Sequence, residues 1–303
     1  MSLRHTSEGS TMDLGRVGIW SGQFRSQDAG EAREAARELE SLGFGALWIP
    51  GGAGGDIFGD VTRVLSATTA LPVVTGILNV WMHDAAEVAS EHARISAAYP
   101  ERFLLGLGVS HASLVEAGGD RRYERPLTVM KEYLDALDVA PTPVRQEDRV
   151  LAALGPKMLE LARDRSAGAH PYLTTPRHTG EARATLGSGP LLAPEQMVVL
   201  DPDLTTAHAT ARHALARYLA LPNYSNNLKR LGFGDADLAD GGSDRLVDGI
   251  VACGDIAAIA ARVKEHLDAG ADHVCLQVLT DAPAAYPIKQ WRELTAIVSG
   301  LSS

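Results

Sequence analysis

The 303-residue sequence predicts an α/β protein, a (β/α)8 TIM barrel with an insertion between strands seven and eight. Three observations lead there. Short apolar runs alternate eight times with helix-period segments and no second core interrupts them. The stretch Arg102–His111 opens as an unbroken apolar run, which suits a parallel strand buried on both faces. A unit of helix end, glycine, small loop and buried strand occurs at Leu42-Gly43-Phe44-Gly45-Ala46-Leu47 and recurs at Ala269-Gly270-Ala271-Asp272-His273-Val274. A doubly wound open sheet is the competing fold. It lacks support because no Gly-x-Gly-x-x-Gly turn follows strand one, and Gly106-Leu107-Gly108 lacks the third glycine.

Residues 1–13 read as a disordered arm or an expression leftover, and residues 14–303 as a single barrel domain. Strand one is Arg16–Ser21, and a helix follows from about Asp28 to Leu42, with Ala32, Ala35, Leu39 and Leu42 on one face. Gly43 ends it, as glycine does just past a helix. Strand two is Ala46–Pro50, followed by a flexible loop holding Gly51, Gly52, Gly54 and Gly55. A helix over Asp60–Thr69 leads to strand three, Val73–Leu78. Asp84 with Glu87 is a capping arrangement for a helix reaching Tyr99. Strand four closes on Ser110 and His111, and a long loop runs from there to Pro126, where a helix starts on a first-turn proline. Strand five is Arg149–Ala153, Pro156 opens a helix to about Ala167, and strands six and seven are Ala169–Leu173 and Glu195–Leu200. The interval Asp201–Asp272 holds helices near Asp203–Leu219 and Asp255–Ala269, with the polar stretch Asn223–Leu228 and the turn Gly241-Gly242-Ser243 between them. His273–Leu279 is strand eight and Ile288–Val298 the closing helix.

Composition narrows the function. With 28 Lys+Arg against 38 Asp+Glu, a net charge of −10 and no local basic cluster, nucleic acid is not an expected partner. No run of apolar residues is long enough for a membrane span, and the polar amino terminus lacks a signal-peptide core. Two cysteines without metal-type spacing, Cys253 in helix-like and Cys275 in strand-like surroundings, point to a cytoplasmic protein without a disulfide scaffold or zinc site.

Strand ends of a barrel converge at one mouth. Here they supply Gly51 and Gly52, Ile77–Asn79, Ser110 and His111, Gly155–Lys157, and His170–Tyr172. Glycines grouped this way suit a flat ligand approaching the main chain. Leu154-Gly155-Pro156-Lys157-Met158 turns from strand to helix, leaving free N–H groups and a lysine where a phosphate can sit. Histidine is the side chain best placed for proton transfer near neutrality, and His111 is the first candidate catalytic residue, ahead of His170. His92 and His266 fall within helices, and His208 and His213 on a solvated helix face. No Gly-x-Ser-x-Gly elbow, His-Glu-x-x-His or P-loop is present, and the Asp235–Asp240 cluster reads as a solvated loop.

Gly106-Leu107-Gly108-Val109-Ser110-His111, Leu151-Ala152-Ala153-Leu154-Gly155-Pro156 and Asn223-Tyr224-Ser225-Asn226-Asn227 together resemble the luciferase-like monooxygenase superfamily, and in particular its deazaflavin, coenzyme F420-dependent branch. The resemblance runs from about Val17 to Val298. It implies a tricyclic ring held at the strand ends, with Gly76-Ile77 at the site of a non-proline cis peptide pressing on one ring face. It implies that Asn79, Val109 and Ser110 line the ring or its polyol, and that Gly155, Lys157 and Met158 hold the cofactor phosphate. The sugar-phosphate dehydrogenase of this family ends strand two with Asp-His, where this chain has Gly51-Gly52, and carries an acidic residue where this chain has His111. Its acid/base pair is therefore not carried over. The resulting expectation is hydride transfer between coenzyme F420 and a small organic substrate. The alternatives are an FMN-dependent monooxygenase and a cofactor-binding protein without turnover. Barrels of this superfamily commonly pair through the helices after strands two and three, so a homodimer is expected.

Overall fold

Runs rich in Val, Ile and Leu have no face to offer water, and such strands pair in parallel beneath a coat of helices. The computed structural model, which describes residues 12–25, 28–52, 55–117 and 122–301, bears this out. Its strands are β1 Val17–Trp20, β2 Leu47–Gly51, β3 Val73–Asn79, β4 Phe103–Gly108, β5 Arg149–Leu151, β6 Gly168–Ala169, β7 Leu191–Leu192, β8 Glu195–Leu200, β9 Val251–Gly254 and β10 Val274–Val278. They form one ten-stranded parallel sheet in the order β7-β6-β5-β4-β3-β2-β1-β10-β8-β9.

β7 and β8 are two parts of one extended run, interrupted at Ala193-Pro194. On one side of the run, Ala193 N–H donates to Ala169 O and Glu195 N–H to Pro171 O; on the other, Cys275 N–H donates to Pro194 O. The curled sheet therefore meets itself along this run. From Met197 onward β9 pairs with β8.

The strand interior is filled by Ala46, Trp48, Val74, Leu104, Val150, Ala193 and Cys275. Between sheet and helices lies a larger cluster that includes Ile19, Leu47, Ile49, Val73, Leu105 and Trp291. The helix Ala29–Ser41 buries Ala32, Ala35, Ala36 and Leu39, and its Asp28 carboxylate accepts the Gly30 and Glu31 N–H groups. Asp84 likewise accepts Ala86 and Glu87 N–H at the head of the helix Ala85–Ala98.

Several elements differ from the sequence reading. The helix expected over Asp60–Thr69 spans Ile57–Ala67, because Asp56 caps it by accepting Gly59 N–H. The loop after His111 contains a short helix, Ala112–Glu116. A helix over Pro176–Leu186 joins β6 to β7, capped by Thr175 with proline at its start. The polar stretch at Asn223 is helical, within Pro222–Arg230. Cys253 lies in β9 rather than in helix-like surroundings, since Val251-Ala252-Cys253-Gly254 leaves the helix Asp244–Ile250 directly into a strand. Asp235–Asp240 is a short helix and a turn, where Asp237 is held by Ser243 Oγ and Arg245. Of the amino-terminal arm, residues 1–11 lie outside the described residues, while Met12 packs against the interior cluster. Gly54 of the predicted loop also lies outside them. Among the described residues no helix is long and apolar enough to cross a membrane, and no group of His, Cys, Asp and Glu is arranged to hold a metal.

Candidate functional site

β3 carries one residue more than either neighbour. Against β4, Val74 pairs with Leu104 and Leu78 with Leu107; against β2, Ile49 pairs with Thr75 and Gly51 with Leu78. The extra residue is taken up at Gly76-Ile77, whose peptide bond is cis, as the resemblance implied. Trp20 Nε1–H donates to Gly76 O at 2.9 Å. Thr75 bridges the gap left in the ladder: Gly106 N–H donates to Thr75 Oγ1 at 2.7 Å, and Thr75 Oγ1–H donates to Gly106 O at 2.8 Å.

This bulge explains the glycines of β4. A Cβ on Gly106 would stand 1.8 Å from Thr75 O, and one on Gly108 would stand 2.5 Å from Ile77 Cδ1. Their bareness answers to the chain's own β3, and Gly108 also lines the cavity described below. Gly52 and Gly155 are different, with nothing within 4 Å of an added Cβ.

Past β4, Ser110 adopts φ +56°, uncommon for a residue with a side chain. Its carbonyl accepts from Tyr123 OH at 3.2 Å and from Asn223 Nδ2 at 3.1 Å. The neighbouring Val109 carbonyl accepts from Trp81 Nε1 at 2.8 Å. His111 follows, half-buried, with its ring centroid 4.6 Å from that of Tyr224. Burial pushes its pKa down to about 4, so the imidazole is neutral at pH 7, and Nδ1 has no hydrogen-bond partner among the described residues.

These groups border a cavity of about 1870 Å³ at the carboxyl ends of the strands. Gly76, Ile77, Val109, Ser110, His111, Gly155, Lys157 and Met158 all line it. Asn79 does not: it is buried, and its Oδ1 accepts the Trp81 N–H at 3.1 Å, so it shapes the turn behind the wall. The Gly155 turn opens the helix Pro156–Arg165, whose first turn has no side-chain cap. The Leu154 carbonyl before it accepts from His178 Nε2 at 2.8 Å and from Arg230 Nη2 at 3.0 Å. Lys157 stands exposed beside the turn.

A group of rings also lines the cavity, beginning beside the bulge at Trp20. Trp20 and Tyr172 have centroids 5.4 Å apart, Tyr172 and Tyr218 5.5 Å, and Tyr218 and Tyr224 5.9 Å. Their heads are tied in one direction. Arg217 Nη2 donates to Tyr218 OH at 2.8 Å, Tyr218 OH to Tyr172 OH at 2.7 Å, and Tyr172 OH to Gln277 Oε1 at 2.6 Å. Tyr218 and Tyr224 come from the helices Leu204–Leu219 and Pro222–Arg230. Sequence reasoning placed Tyr172 at the mouth but missed Trp20, Tyr218 and Tyr224 as lining groups. The available signal was Tyr218 and Tyr224 flanking Pro222, with a tyrosine at the end of strand six.

Beneath the rings lies a buried polar cluster. His170 stacks on Trp48 at 4.2 Å, and its Nδ1–H donates to Ala193 O at 2.7 Å. Trp48 Nε1–H donates to His273 Nε2 at 3.0 Å, and His273 Nδ1–H donates to Gly15 O at 2.9 Å. Burial pushes both histidines down to about 4. Glu195, which accepts Leu173 N–H at 3.1 Å, is pushed up to about 8 by burial. His170, the second candidate histidine, thus braces the cavity floor as a fixed neutral ring.

Comparison with known proteins agrees with this fold. A curated 5,10-methylenetetrahydromethanopterin reductase of Methanolobus tindarius is 25% identical over 286 residues, covering 79% of this chain and 87% of that protein. An F420-dependent secondary alcohol dehydrogenase, solved with an F420-acetone adduct, superimposes with a TM-score of 0.72 at 14% identity, covering 95% of this chain and 99% of that one. The coenzyme F420-dependent tetrahydromethanopterin reductase of Methanopyrus kandleri gives a TM-score of 0.70 at 15% identity, over 94% and 97% of the two chains. The family model for luciferase-like monooxygenases matches residues 8–273, and this chain belongs to that family.

Proposed function

We propose that the chain is an oxidoreductase that uses coenzyme F420 to exchange a hydride with a small organic substrate. The observation that carries this reading is the Ile77 bulge, which lines the cavity together with the rings. The F420-dependence of the two solved structures named above supports the choice of cofactor.

The residues present fit the group. Ile77, Val109 and Ser110 line the cavity together and would hold a planar ring, the first two by apolar contact. The open space at Gly155, the uncapped helix start, Lys157 and Met158 suit an anionic phosphate, with Arg230 close by. When bound, the deazaflavin supplies a hydride-exchanging carbon. The protein's own part is to hold ring and substrate in register and keep water out of the cavity. Neutral His111 is the group proposed to handle the accompanying proton at a substrate oxygen, because the neutral imidazole both accepts at one ring nitrogen and donates at the other.

The remaining parts of this reading are a single barrel domain over residues 14–303, the elements after β8 as an insertion, and a cytoplasmic homodimer. The acidic balance of the chain supports a small-molecule partner over nucleic acid.

Absorbance titration of the purified protein with F420 and with FMN tests the proposal. Saturable F420 binding is expected, weakened about 10-fold in Lys157→Ala, the size of a lost charge-assisted contact to phosphate. Binding of FMN but not F420, with oxygen consumption, replaces it by the monooxygenase reading. Tight F420 binding with no hydride exchange over a broad substrate panel replaces it by a carrier role.

A further inference from the structure

We infer that the space beside the cofactor takes an organic acid in its ionised form, with Arg217 receiving the carboxylate. This deepens the cofactor reading above and rests on it, since that reading assigns one part of the same cavity.

Size and charge come first. Cavities for a single small ligand occupy roughly 300–1,000 Å³, and this one measures about 1870 Å³, room for a second molecule beside the cofactor. The chain as a whole is acidic, with a net charge of −10. Yet Arg25, Lys157, Arg217 and Arg230 border the cavity, and Asp281 is the one carboxylate among the described residues that does so. A concave site of that sign draws anions in.

Three of these cations are already committed. Arg25 pairs with Asp60 at 2.8 Å. Arg230 donates to Leu154 O and Asn227 Oδ1 and faces Glu181 at 3.5 Å. Lys157 stands at the Gly155 turn assigned to the cofactor phosphate. Arg217 differs, because among the described residues no carboxylate pairs with it. It is nonetheless held in place. Its guanidinium lies 4.6 Å from the Tyr218 centroid, and Nη2 donates to Tyr218 OH, which donates to Tyr172 OH and so to buried Gln277 of β10. A planar guanidinium fixed on an aromatic ring keeps its remaining N–H donors for a carboxylate, which matches its fork.

The rest of the lining suits the carbon skeleton of the acid. Tyr218, Tyr172 and Tyr224 continue from Arg217 toward His111, with neighbouring centroids 4.6–5.9 Å apart. Trp20 packs on Tyr172 and joins this group to the bulge through Gly76 O. Rings and bulge are thus one continuous surface, which keeps the acid next to the cofactor ring, as hydride exchange requires. Tyr224 OH and the His111 ring have no hydrogen-bond partner among the described residues, so oxygen atoms of the acid meet donors at that end as well.

The test uses a matched pair of probes, 2-naphthoate and 2-naphthamide, which share a ring system and differ in charge at pH 7. Each is titrated by calorimetry into the whole protein, free and saturated with F420. Expected is about 10-fold tighter binding of the naphthoate in both states, shrinking as salt is raised, because the rim is exposed. Arg217→Gln should remove that preference while leaving the naphthamide and F420 affinities within about 2-fold, and Arg217→Lys should restore part of it. Equal or tighter binding of the naphthamide overturns the inference, as does a naphthoate preference that survives Arg217→Gln. Displacement of the naphthoate by F420, or an equal loss of F420 affinity in Arg217→Gln, also overturns it, since Arg217 would then serve the cofactor. Failure of the cofactor reading has a separate signature: no F420 titration, with the naphthoate preference and its loss in Arg217→Gln intact.

Discussion

The β3–β4 part of the cavity lining is built from main chain, and another part from rings packed above buried histidines. The first wall has no spare volume, since Gly106 and Gly108 are filled by Thr75 and Ile77 of the bulged neighbour. It also has no titratable group between Val73 and Asn79 or between Phe103 and Gly108. The second wall rests on His170, His273 and Glu195, all buried in their neutral forms. One wall is thus vulnerable to added atoms and the other to added protons or lost hydroxyls. A ligand touching both meets a surface fixed by sterics in one part and by hydrogen bonds in the other.

The steric half of this contrast is the easiest to break. In Gly106→Ala the new methyl would stand 1.8 Å from Thr75 O, and a carbonyl in a sheet cannot yield without parting β3 from β4. A destabilisation of about 3 kcal/mol or more is expected by urea denaturation, at the upper end of overpacking effects. Gly155→Ala is the control, with open space around it and a stability change within about 0.5 kcal/mol. Similar costs for the two would mean that the bulge adapts freely and the wall is not sterically fixed.

Protonation should act on the other half. His170 and His273 titrate near 4 and His266 near 3 in the folded chain, against 6.5 when exposed. The unfolded chain binds more protons between those values. Their stabilisation is therefore complete above about pH 6.5 and is lost as pH falls toward 4. Glu195 has the opposite sign: folded near 8 against 4.5, it stabilises fully below 4.5, and that contribution is lost as pH rises toward 8. Below 6.5 three histidines outweigh one carboxyl, so stability should peak near pH 6.5 and fall by several kcal/mol toward pH 4.5, each group contributing up to about 3 kcal/mol. Urea midpoints across pH check the peak. Hydrogen exchange at pH 5 should show amides near His170 and Glu195 opening before those of β3 and β4, and simultaneous opening would erase the contrast.

The same division governs what could be read from the sequence. The strands β1 to β5 and β10 were legible because each is an apolar run bounded by turn residues. β6 and β7 have two residues each, too few to carry a period, and Pro194 hides that β7 and β8 are one run. The helix Pro176–Leu186 did have end signals, in Thr175-Pro176 and Gly187, but lay between strands read as adjacent. Ile77, His111 and Gly155 were found at the mouth because strand ends converge there, and Gly76 through the family resemblance. Asn79 was misplaced because a bulge shifts which side chains face in, and one sequence does not show how β3 slips against its neighbours. The rings of Tyr218 and Tyr224 escaped because they reach the cavity from helices outside the barrel, where period and strand ends give no clue.

The smallest effect is expected from one hydroxyl. Tyr172→Phe keeps the ring against Trp20 but removes the link between Tyr218 and buried Gln277. Gln277 Oε1 then loses its donor where water has little access, with the side chain 5% exposed, at a cost of about 1–2 kcal/mol. Tyr218→Phe removes the same link from its half-exposed end, where water can replace the partner, and should cost less. Because both hydroxyls serve one chain, the double variant should cost less than the sum of the singles. Strict additivity in chemical denaturation would show that the hydroxyls act independently. The ring wall would then be held by ring packing alone, and its difference from the main-chain wall would be one of shape and not of hydrogen bonding.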